Sequence, residues 1–350
     1  MRVAIEAGAL SLSSGGLARY ATELSLALAR EFPGDEYFLV SDRAFRMPAG
    51  APANLKAAGG ARNGVERRWW LWGLARELER LGVDLIHGPD FSVPYLGRRP
   101  SVLTLHDLSP WMDPGWHSAA RRVARRTPVL LEMGIATMVV TPSETVRKQA
   151  IERFRLRPER VAAVPEAAAG WLRPVETRTE TPYFLFVGTL EPRKNLPALV
   201  EAWREVRRRH KIDLWLAGRR RPDCPALPEE PGLRLLGEVG DEELPGLYSG
   251  ALAFVYPSLY EGFGLPAIEA MQCGACVIAS RAVAEAGGHA AVYADGVEEL
   301  TRAMVRAAED AEWRADCGAR GLARAREFSW ERTARLTREV YEEACKRFEG

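Results

Sequence analysis

Two carboxylates, Glu261 and Glu269, bracket the run Tyr-Glu-Gly-Phe-Gly-Leu-Pro-Ala-Ile-Glu-Ala at 260–270. Gly262 and Gly264 permit backbone angles and close approaches that a side chain would block. Pro266 suits the first position of a helix. The spacing therefore predicts a loop through Gly264 and a helix from Pro266, with Glu269 in its first turn. The amides of Phe263, Gly264 and Leu265 are then free to bind an anion, phosphate above all. A carboxylate beside a phosphate is repelled, so each acid needs another task. Accepting hydrogen bonds from vicinal sugar hydroxyls fits, as acidic residues do for ribose. An acid on either side of a diphosphate site suits a molecule with a sugar at each end, a nucleotide sugar. The plain alternative is a helix start whose dipole is matched by glutamates.

A second cluster lies at 187–203, Val-Gly-Thr-Leu-Glu-Pro-Arg-Lys-Asn and onward. Gly188 ends a predicted strand, Arg193 and Lys194 follow in a turn, and a helix starts near Asn195. A guanidinium fork and a compact ammonium together neutralise a diphosphate. A leaving nucleoside diphosphate needs such charge or a divalent metal. The chain has no Asp-x-Asp pair, so the cations are expected to take a metal's place, with no cofactor. Taken alone, Arg-Lys-Asn is also an ordinary exposed turn. In the first half, Gly15 and Gly16 precede a helix at 16–31, where backbone can approach a phosphate or sugar. There is no Gly-x-Gly-x-x-Gly to indicate a dinucleotide fold. His106, at a strand end in Leu-Thr-Leu-His-Asp, and His87, in Leu-Ile-His-Gly, are placed for either a structural or a functional role. His117, His210 and His289 have no supporting context.

The elements that must position these residues alternate short apolar runs with amphipathic helices, the signature of parallel α/β layers. Strands are expected at 2–7, 36–41, 84–88, 101–106 and 137–142, then at 183–188, 213–218, 233–237, 252–257, 276–280 and 291–294. Helices are expected at 16–31 and 67–82 in the first half. At 350 residues two domains are the default. Residues 164–182, with three prolines and a Thr/Glu/Arg run, read as the connection. The fold class is α/β: two Rossmann-like doubly wound domains facing across a cleft, with ligands at the carboxyl ends of strands. We set the boundaries at 1–165 for a first Rossmann-like domain, 166–182 for a linker, 183–330 for a nucleotide-sugar-binding domain and 331–350 for a final helix.

Bulk composition narrows the class. The chain is 47% apolar and 27% charged, without low-complexity tracts. Its first half is mildly basic and its second mildly acidic, and neither suggests nucleic acid. No apolar stretch is long enough to span a membrane, and no signal peptide is evident, so a cytoplasmic location is expected. Five cysteines, at 224, 273, 276, 317 and 345, argue against a disulfide framework. Cys273-Gly-Ala-Cys276 lacks a second pair and reads as buried structure. Lysine occurs only at 56, 148, 194, 211 and 346, and asparagine only at 54, 63 and 195. Lys194 and Asn195 are thus scarce residues set side by side.

Val-Gly-Thr-Leu-Glu-Pro-Arg-Lys-Asn, followed by Tyr-Pro-Ser-Leu-Tyr-Glu-Gly-Phe-Gly-Leu-Pro-Ala-Ile-Glu-Ala-Met, resembles the retaining GT-B glycosyltransferases of group 1 that carry a Glu-x7-Glu motif, mannosyltransferases among them. Gly-Gly-Leu-Ala-Arg-Tyr, His-Gly-Pro-Asp, Leu-Thr-Leu-His-Asp-Leu-Ser-Pro-Trp and Val-Val-Thr-Pro-Ser-Glu look like its amino-terminal landmarks. The resemblance implies that Glu261 contacts the transferred sugar and Glu269 the nucleotide ribose. It implies that Arg193 and Lys194 bind the diphosphate, with amides at Gly264, Leu265 and Gly16. His106 then contacts the donor sugar and Val239 borders the base. The reaction implied is a retaining hexosyl transfer to an acceptor hydroxyl, the leaving phosphate taking the proton, and the last helix crosses back onto the first domain. The chain departs from the pattern after the second glutamate, where Cys276 replaces a proline and the loop at 281–288 is short, and at Glu166, where relatives often have asparagine.

Two arginine- and tryptophan-rich segments, 118–134 and 66–82, have two readings. One is an interfacial patch on the first domain, a peripheral contact with the inner face of a membrane that suits a lipid-linked rather than a free saccharide acceptor. The other is ordinary amphipathic helices with solvated arginines and buried tryptophans. Two rivals to transfer also stand: a nucleotide-sugar epimerase on the same fold, and an inactive relative that only binds the nucleotide sugar.

Overall fold

The computed structural model describes residues 1–350 apart from 13, 14, 62, 114, 117–120, 178 and 350, and the backbone alone of Glu349. Its contacts divide the chain into two units. The first comprises Met1–Met112, Ala119–Glu166 and Trp330–Gly350; the second comprises Asp113–Ser118 and Ala167–Ser329.

In the first unit seven strands form one sheet: β1 (Arg2–Glu6), β2 (Glu36–Val40), β3 (Leu55–Ala58), β4 (Leu85–Gly88), β5 (Ser101–Thr104), β6 (Met138–Thr141) and β7 (Val161–Ala163). Their order is β3-β2-β1-β4-β5-β6-β7, and every pairing is parallel. Parallel sheets are covered on both faces, and the central strands accordingly bury nearly every residue. Around them lie α1 (Gly16–Glu31), α2 (Leu74–Leu81), α3 (Ser109–Met112), α4 (Arg121–Glu132) and α5 (Glu144–Phe154). The short edge strands β3 and β7 were not expected from the sequence. Their Leu-Lys-Ala-Ala and Val-Ala-Ala runs carry too little pattern of their own, and pairing to β2 and β6 sets them.

The helix expected at 67–82 is not continuous. Trp69–Gly73 form a π-helical turn, closed by the Leu74 amide on Trp69 O, before α2 begins. A Cβ on Gly73 would lie 2.2 Å from Glu66 O, so glycine permits this wide turn.

Of the second unit's strands, β8 (Tyr183–Val187), β9 (Asp213–Ala217), β10 (Leu233–Gly237), β11 (Ala253–Tyr256), β12 (Val277–Ala279) and β13 (Val292–Tyr293), all are parallel in the order β10-β9-β8-β11-β12-β13. Its helices are α6 (Leu196–Arg207), α7 (Leu244–Gly250), α8 (Leu265–Gln272), α9 (Ala284–Gly287), α10 (Val297–Glu309) and α11 (Ala311–Ala325). Residues 166–182 contain no helix or strand among those described. They are nevertheless fastened down: Ala168, Ala169 and Leu172 join the second unit's core, and the Gln272 amide donates to Ala169 O and Leu172 O, both at 2.8 Å. Cys273, Cys276 and Cys317 are buried and free.

The final helix, α12 (Trp330–Glu349), belongs to the first unit, as the resemblance implies. Tyr341 is fully buried and its hydroxyl meets His87 Nδ1 at 2.7 Å. Arg338 Nε donates to Asp35 Oδ2 at 2.7 Å, and Thr333 donates to Pro165 O at 2.6 Å. No helix of the described residues is long and apolar enough to cross a membrane.

Candidate active site

In the second unit the strand order reverses between β8 and β11. Chains leaving adjacent strands in opposite directions open a crevice at their carboxyl ends, and the two clusters singled out in the sequence lie there. After β8, Gly188 takes φ 150° and donates to Ala217 O. A Cβ on Gly218 would lie 2.1 Å from Gly188 O, so the loops after β8 and β9 are pressed backbone to backbone. A 3-10 turn, Pro192–Lys194, follows. Asn195, at φ 54°, turns the chain into α6 in the left-handed conformation that asparagine tolerates.

That turn sends both cations inward: Arg193 is 8% and Lys194 5% exposed. The loop after β11 is laced to it, the Leu259 amide donating to Arg193 O at 2.9 Å. Arg193 Nη1 donates to Tyr260 O at 2.8 Å and to Glu261 Oε2 at 2.9 Å. Lys194 Nζ donates to Glu261 Oε1 at 2.5 Å and to the Tyr256 hydroxyl at 2.6 Å. Glu261 thus pairs with both of the cations expected to meet a diphosphate. Burial pushes its carboxyl up, but the charges of Arg193 and Lys194 outweigh burial and hold it at about 2. Burial and Arg193 lower Lys194, while burial, then Glu261, pushes Tyr256 well above the usual phenol range.

Four further residues extend the network. Glu191 Oε1 accepts from Arg193 Nε at 3.1 Å and Nη2 at 2.8 Å, and Glu191 also pairs with Arg221. Arg221 in turn donates to Asp223 Oδ2 at 2.5 Å and to Trp116 O at 3.0 Å. The Trp116 ring stacks on Tyr260 at 6.1 Å.

The helix after Gly264 begins at Leu265, and Pro266 stands second rather than first. Glu269 is consequently its fifth residue, in the second turn, a correction to the expected first-turn position. It is 2% exposed and accepts from the Tyr248 hydroxyl at 2.9 Å. Among the described residues, no hydrogen-bond partner meets the amides of Phe263, Gly264 or Leu265. Gly264 has φ 103°, and a Cβ there would come within 2.6 Å of Val283 Cγ1. The short loop at 281–288, a 3-10 turn Arg281–Val283 running into α9, therefore seats directly on the loop at Gly264. Gly262 lies between Glu261 and Phe263 in that loop, and Val239, beyond β10, is half-buried against the core.

His106, Gly15 and Gly16 lie in the first unit. Gly15, at φ 113°, caps α1, and no atom lies within 4 Å of a Cβ placed on either glycine. Ser13 and Ser14 of that loop, like His117, lie outside the described residues. His106 Nε2 meets Pro89 O at 2.7 Å and Nδ1 meets Glu166 Oε1 at 3.3 Å. Burial lowers its pKa, but the Glu166 carboxylate outweighs burial and raises it. His87 is structural: fully buried, wedged between the Tyr341 and Thr104 hydroxyls, and pushed by burial down to about 3.

Sequence reasoning missed Glu191, Arg221, Tyr248 and Tyr256. Glu191 stood beside the named pair in Leu-Glu-Pro-Arg-Lys, where its neighbours were the signal.

Residues 181–310 match the family model described as glycosyl transferases group 1, and residues 14–169 match glycosyltransferase family 4. The chain is 34% identical to the O-antigen chain mannosyltransferase B of Escherichia coli, over 73% of this chain and 74% of that one. It is 32% identical to the MMP alpha-(1->4)-mannosyltransferase of Mycolicibacterium hassiacum, over 67% and 58%. Among solved structures it shares its fold with Anabaena HepE in complex with UDP and glucose, at TM-score 0.73, 16% identity and 97% and 99% coverage. WaaG, a glycosyltransferase involved in lipopolysaccharide biosynthesis, gives TM-score 0.70, 14% identity and 99% and 98% coverage. At 34% identity over nearly three quarters of its length, the chain belongs to the group 1 glycosyltransferases.

Proposed function

We propose that this glycosyltransferase moves a hexose, mannose before glucose, from a nucleoside diphosphate sugar to an acceptor hydroxyl with retention of configuration and without a metal. The observation that carries the reading is the buried cluster of Arg193, Lys194 and Glu261 beside the open amides of Phe263, Gly264 and Leu265. A diphosphate arriving at those amides takes over the two cations from Glu261. The carboxylate is then free to face the positive charge that develops at the anomeric carbon. Charge placed in advance, in a site with little water, stabilises a transition state without reorganisation. Glu269, with Tyr248 as its neighbour, receives the ribose hydroxyls. Gly188, Asn195, Gly262 and Val239 shape the donor's surroundings. The leaving phosphate accepts the proton of the acceptor. The mannosyltransferase relatives favour mannose.

The same reading places the protein on the cytoplasmic side, in peripheral contact with the inner face of a membrane through its first unit. Arg121, Arg122 and Arg125 are exposed, and beyond them so are Val129 and Met133, 48% and 71% exposed.

Thermal-shift screening against UDP-, GDP- and ADP-sugars identifies the donor, since a ligand that binds only the folded chain raises its melting temperature. Product anomers read by proton NMR, with and without EDTA, then test retention and metal independence. Glu261→Ala is expected to cut turnover sharply while largely sparing nucleotide binding, and Lys194→Ala to weaken both. Wild-type turnover in Glu261→Ala, an inverted product, loss of activity in EDTA, or an isomerised donor would each overturn the reading.

A further inference from the structure

Cys276 and Cys317 take no part in the site described above. Cys276 stands just before β12, and Cys317 lies in α11. A Cβ on Gly318 would come within 2.4 Å of Gly274 O, and one on Gly321 within 3.2 Å of Met271 Cγ. Glycine at both positions lets α11 press onto the chain that leads into Cys276. The two thiols, 3% and 1% exposed, meet there and share a hydrogen bond. Among the described residues no cluster of histidine, cysteine and carboxylate could hold a metal ion, so the chemistry open to this pair is that of two thiols.

The two are unequal. Arg320, one turn along α11, donates through Nη2 to the Cys317 sulfur at 3.1 Å. Two more contacts fix that guanidinium, Nε on Asp316 Oδ2 at 3.0 Å and Nη1 on His289 O at 2.9 Å. Cys276 donates to Cys317, which pulls the Cys317 thiol down against burial, and Arg320 adds to the pull. The same hydrogen bond and burial push Cys276 well up. A cysteine beside an arginine reacts as its thiolate, so Cys317 is the nucleophile and Cys276 the thiol that resolves it. Nearby Cys273 is pushed by burial up to about 12 and stays a thiol.

We propose that Cys276 and Cys317 are a reversible redox pair that a small peroxide closes into a disulfide. Burial sets the class of oxidant: a peroxide is small enough to reach sulfurs nearly sealed from solvent, and a bulky disulfide is not. The Cys317 thiolate attacks one peroxide oxygen and the O–O bond breaks. The released hydroxide takes up the proton that Cys317 had shed and leaves as water. The Cys276 sulfur then attacks the sulfenic sulfur of Cys317, the S–O bond breaks, and hydroxide departs with the Cys276 proton as a second water. Two thiols lose two electrons and the peroxide gains them. The new bond fastens β12 to α11. β12 leads into the 281–288 loop, and α11 already holds that loop, Arg324 donating to Ala286 O at 2.9 Å and to Glu285 O at 2.7 Å. Oxidation therefore tightens the segment that seats on Gly264.

The chain is treated with hydrogen peroxide, quenched and alkylated in denaturant, and its free thiols are counted and its peptides mapped. Wild type is expected to lose two of its five thiols to a single link between Cys276 and Cys317. Its melting temperature should rise by roughly 5 °C or more, and dithiothreitol should reverse both changes. Hydrogen exchange at 281–288 should slow in the oxidised chain. Cys317→Ser should keep its thiols and its melting temperature under peroxide, whereas in Cys276→Ser dimedone should trap a sulfenic acid on Cys317. Arg320→Met should slow the loss of thiols severalfold, since the thiolate loses its cation. Should either serine variant fail to fold, the wild-type peptide map decides the link by itself. Retention of all thiols by wild type, or a link through Cys273, overturns the pair. An unchanged melting temperature, or exchange at 281–288 that does not slow, overturns the brace. Oxidised glutathione that closes the bond as fast as peroxide overturns the class of oxidant.

Discussion

Glu261→Gln isolates the electrostatics of the second unit's site, because glutamine copies the shape of the protonated carboxyl. In the folded chain burial raises Glu261, but Arg193 and Lys194 prevail and hold it at about 2, against an ordinary 4.5. At about 1.4 kcal/mol for each tenfold change in proton affinity, the ionised form carries about 3 kcal/mol of stability at neutral pH. Because the folded pKa is the lower one, that contribution is complete above pH 4.5 and is lost as pH falls toward 2. Breaking a buried ion pair from one side costs about 3–5 kcal/mol by general experience, which agrees. Wild type should therefore exceed Glu261→Gln by about 3 kcal/mol at pH 7, and by roughly 1.5 kcal/mol at pH 3. The assay is denaturant unfolding followed by tryptophan fluorescence, with Trp203 and Trp215 in the second unit as reporters. Other titrating groups, His87 and Asp35 among them, are common to both chains and cancel in the difference. A gap under about 1 kcal/mol at pH 7, or one that stays constant down to pH 3, refutes the reasoning.

Gly264→Ala forces a side chain into φ 103° and against Val283. It should cost at least about 1–3 kcal/mol, read as a lowered melting temperature; an unchanged melt refutes the close seating of the 281–288 loop. Tyr341→Phe leaves His87 Nδ1 buried without its hydroxyl partner and should destabilise the first unit by about 1–3 kcal/mol, measured by denaturant midpoint. Arg193→Lys keeps a charge but loses the fork that spans Glu191 and Glu261. Nucleoside diphosphate affinity should fall several-fold by calorimetry, and an unchanged affinity would mean that charge alone suffices at this position.

The central strands of both sheets were legible because burial on both faces writes unbroken apolar runs, as in Tyr183–Val187 and Ala253–Tyr256. Edge strands were not, since Leu55–Ala58 and Val161–Ala163 take their conformation from a neighbour. The break at Trp69–Gly73 was hidden for a related reason: it depends on the carbonyl of Glu66 lying where a Cβ of residue 73 would be, a fact of packing and not of local pattern. Lys194 could be picked out as one of five lysines in the chain, and Glu261 because it stands beside a glycine in the loop after a strand. Their joining into one buried cluster could not, because 67 and 68 residues separate the cations from Glu261. Glu166, which departs from the family's usual residue, lies against His106 Nδ1 and raises its pKa against the effect of burial. Departure from a pattern can therefore mark an altered environment as readily as a lost site.

Both units place their chemistry by the same topological rule, yet they meet it with opposite electrostatics. At β8 and β11 the crevice is lined by cations that an acid already neutralises, so Glu261 stays ionised and an incoming diphosphate competes for existing partners. At the end of β1, Glu6 is buried beside Gly8, whose amide it accepts from, and burial pushes it up to about 7. The first arrangement suits exchange of a permanent charge. A desolvated carboxylate is costly unless paired, so Glu6, with only the Gly8 amide to meet it, is driven toward its neutral form. Identical strand order thus frames an ion-paired carboxylate in one unit and a desolvated one in the other.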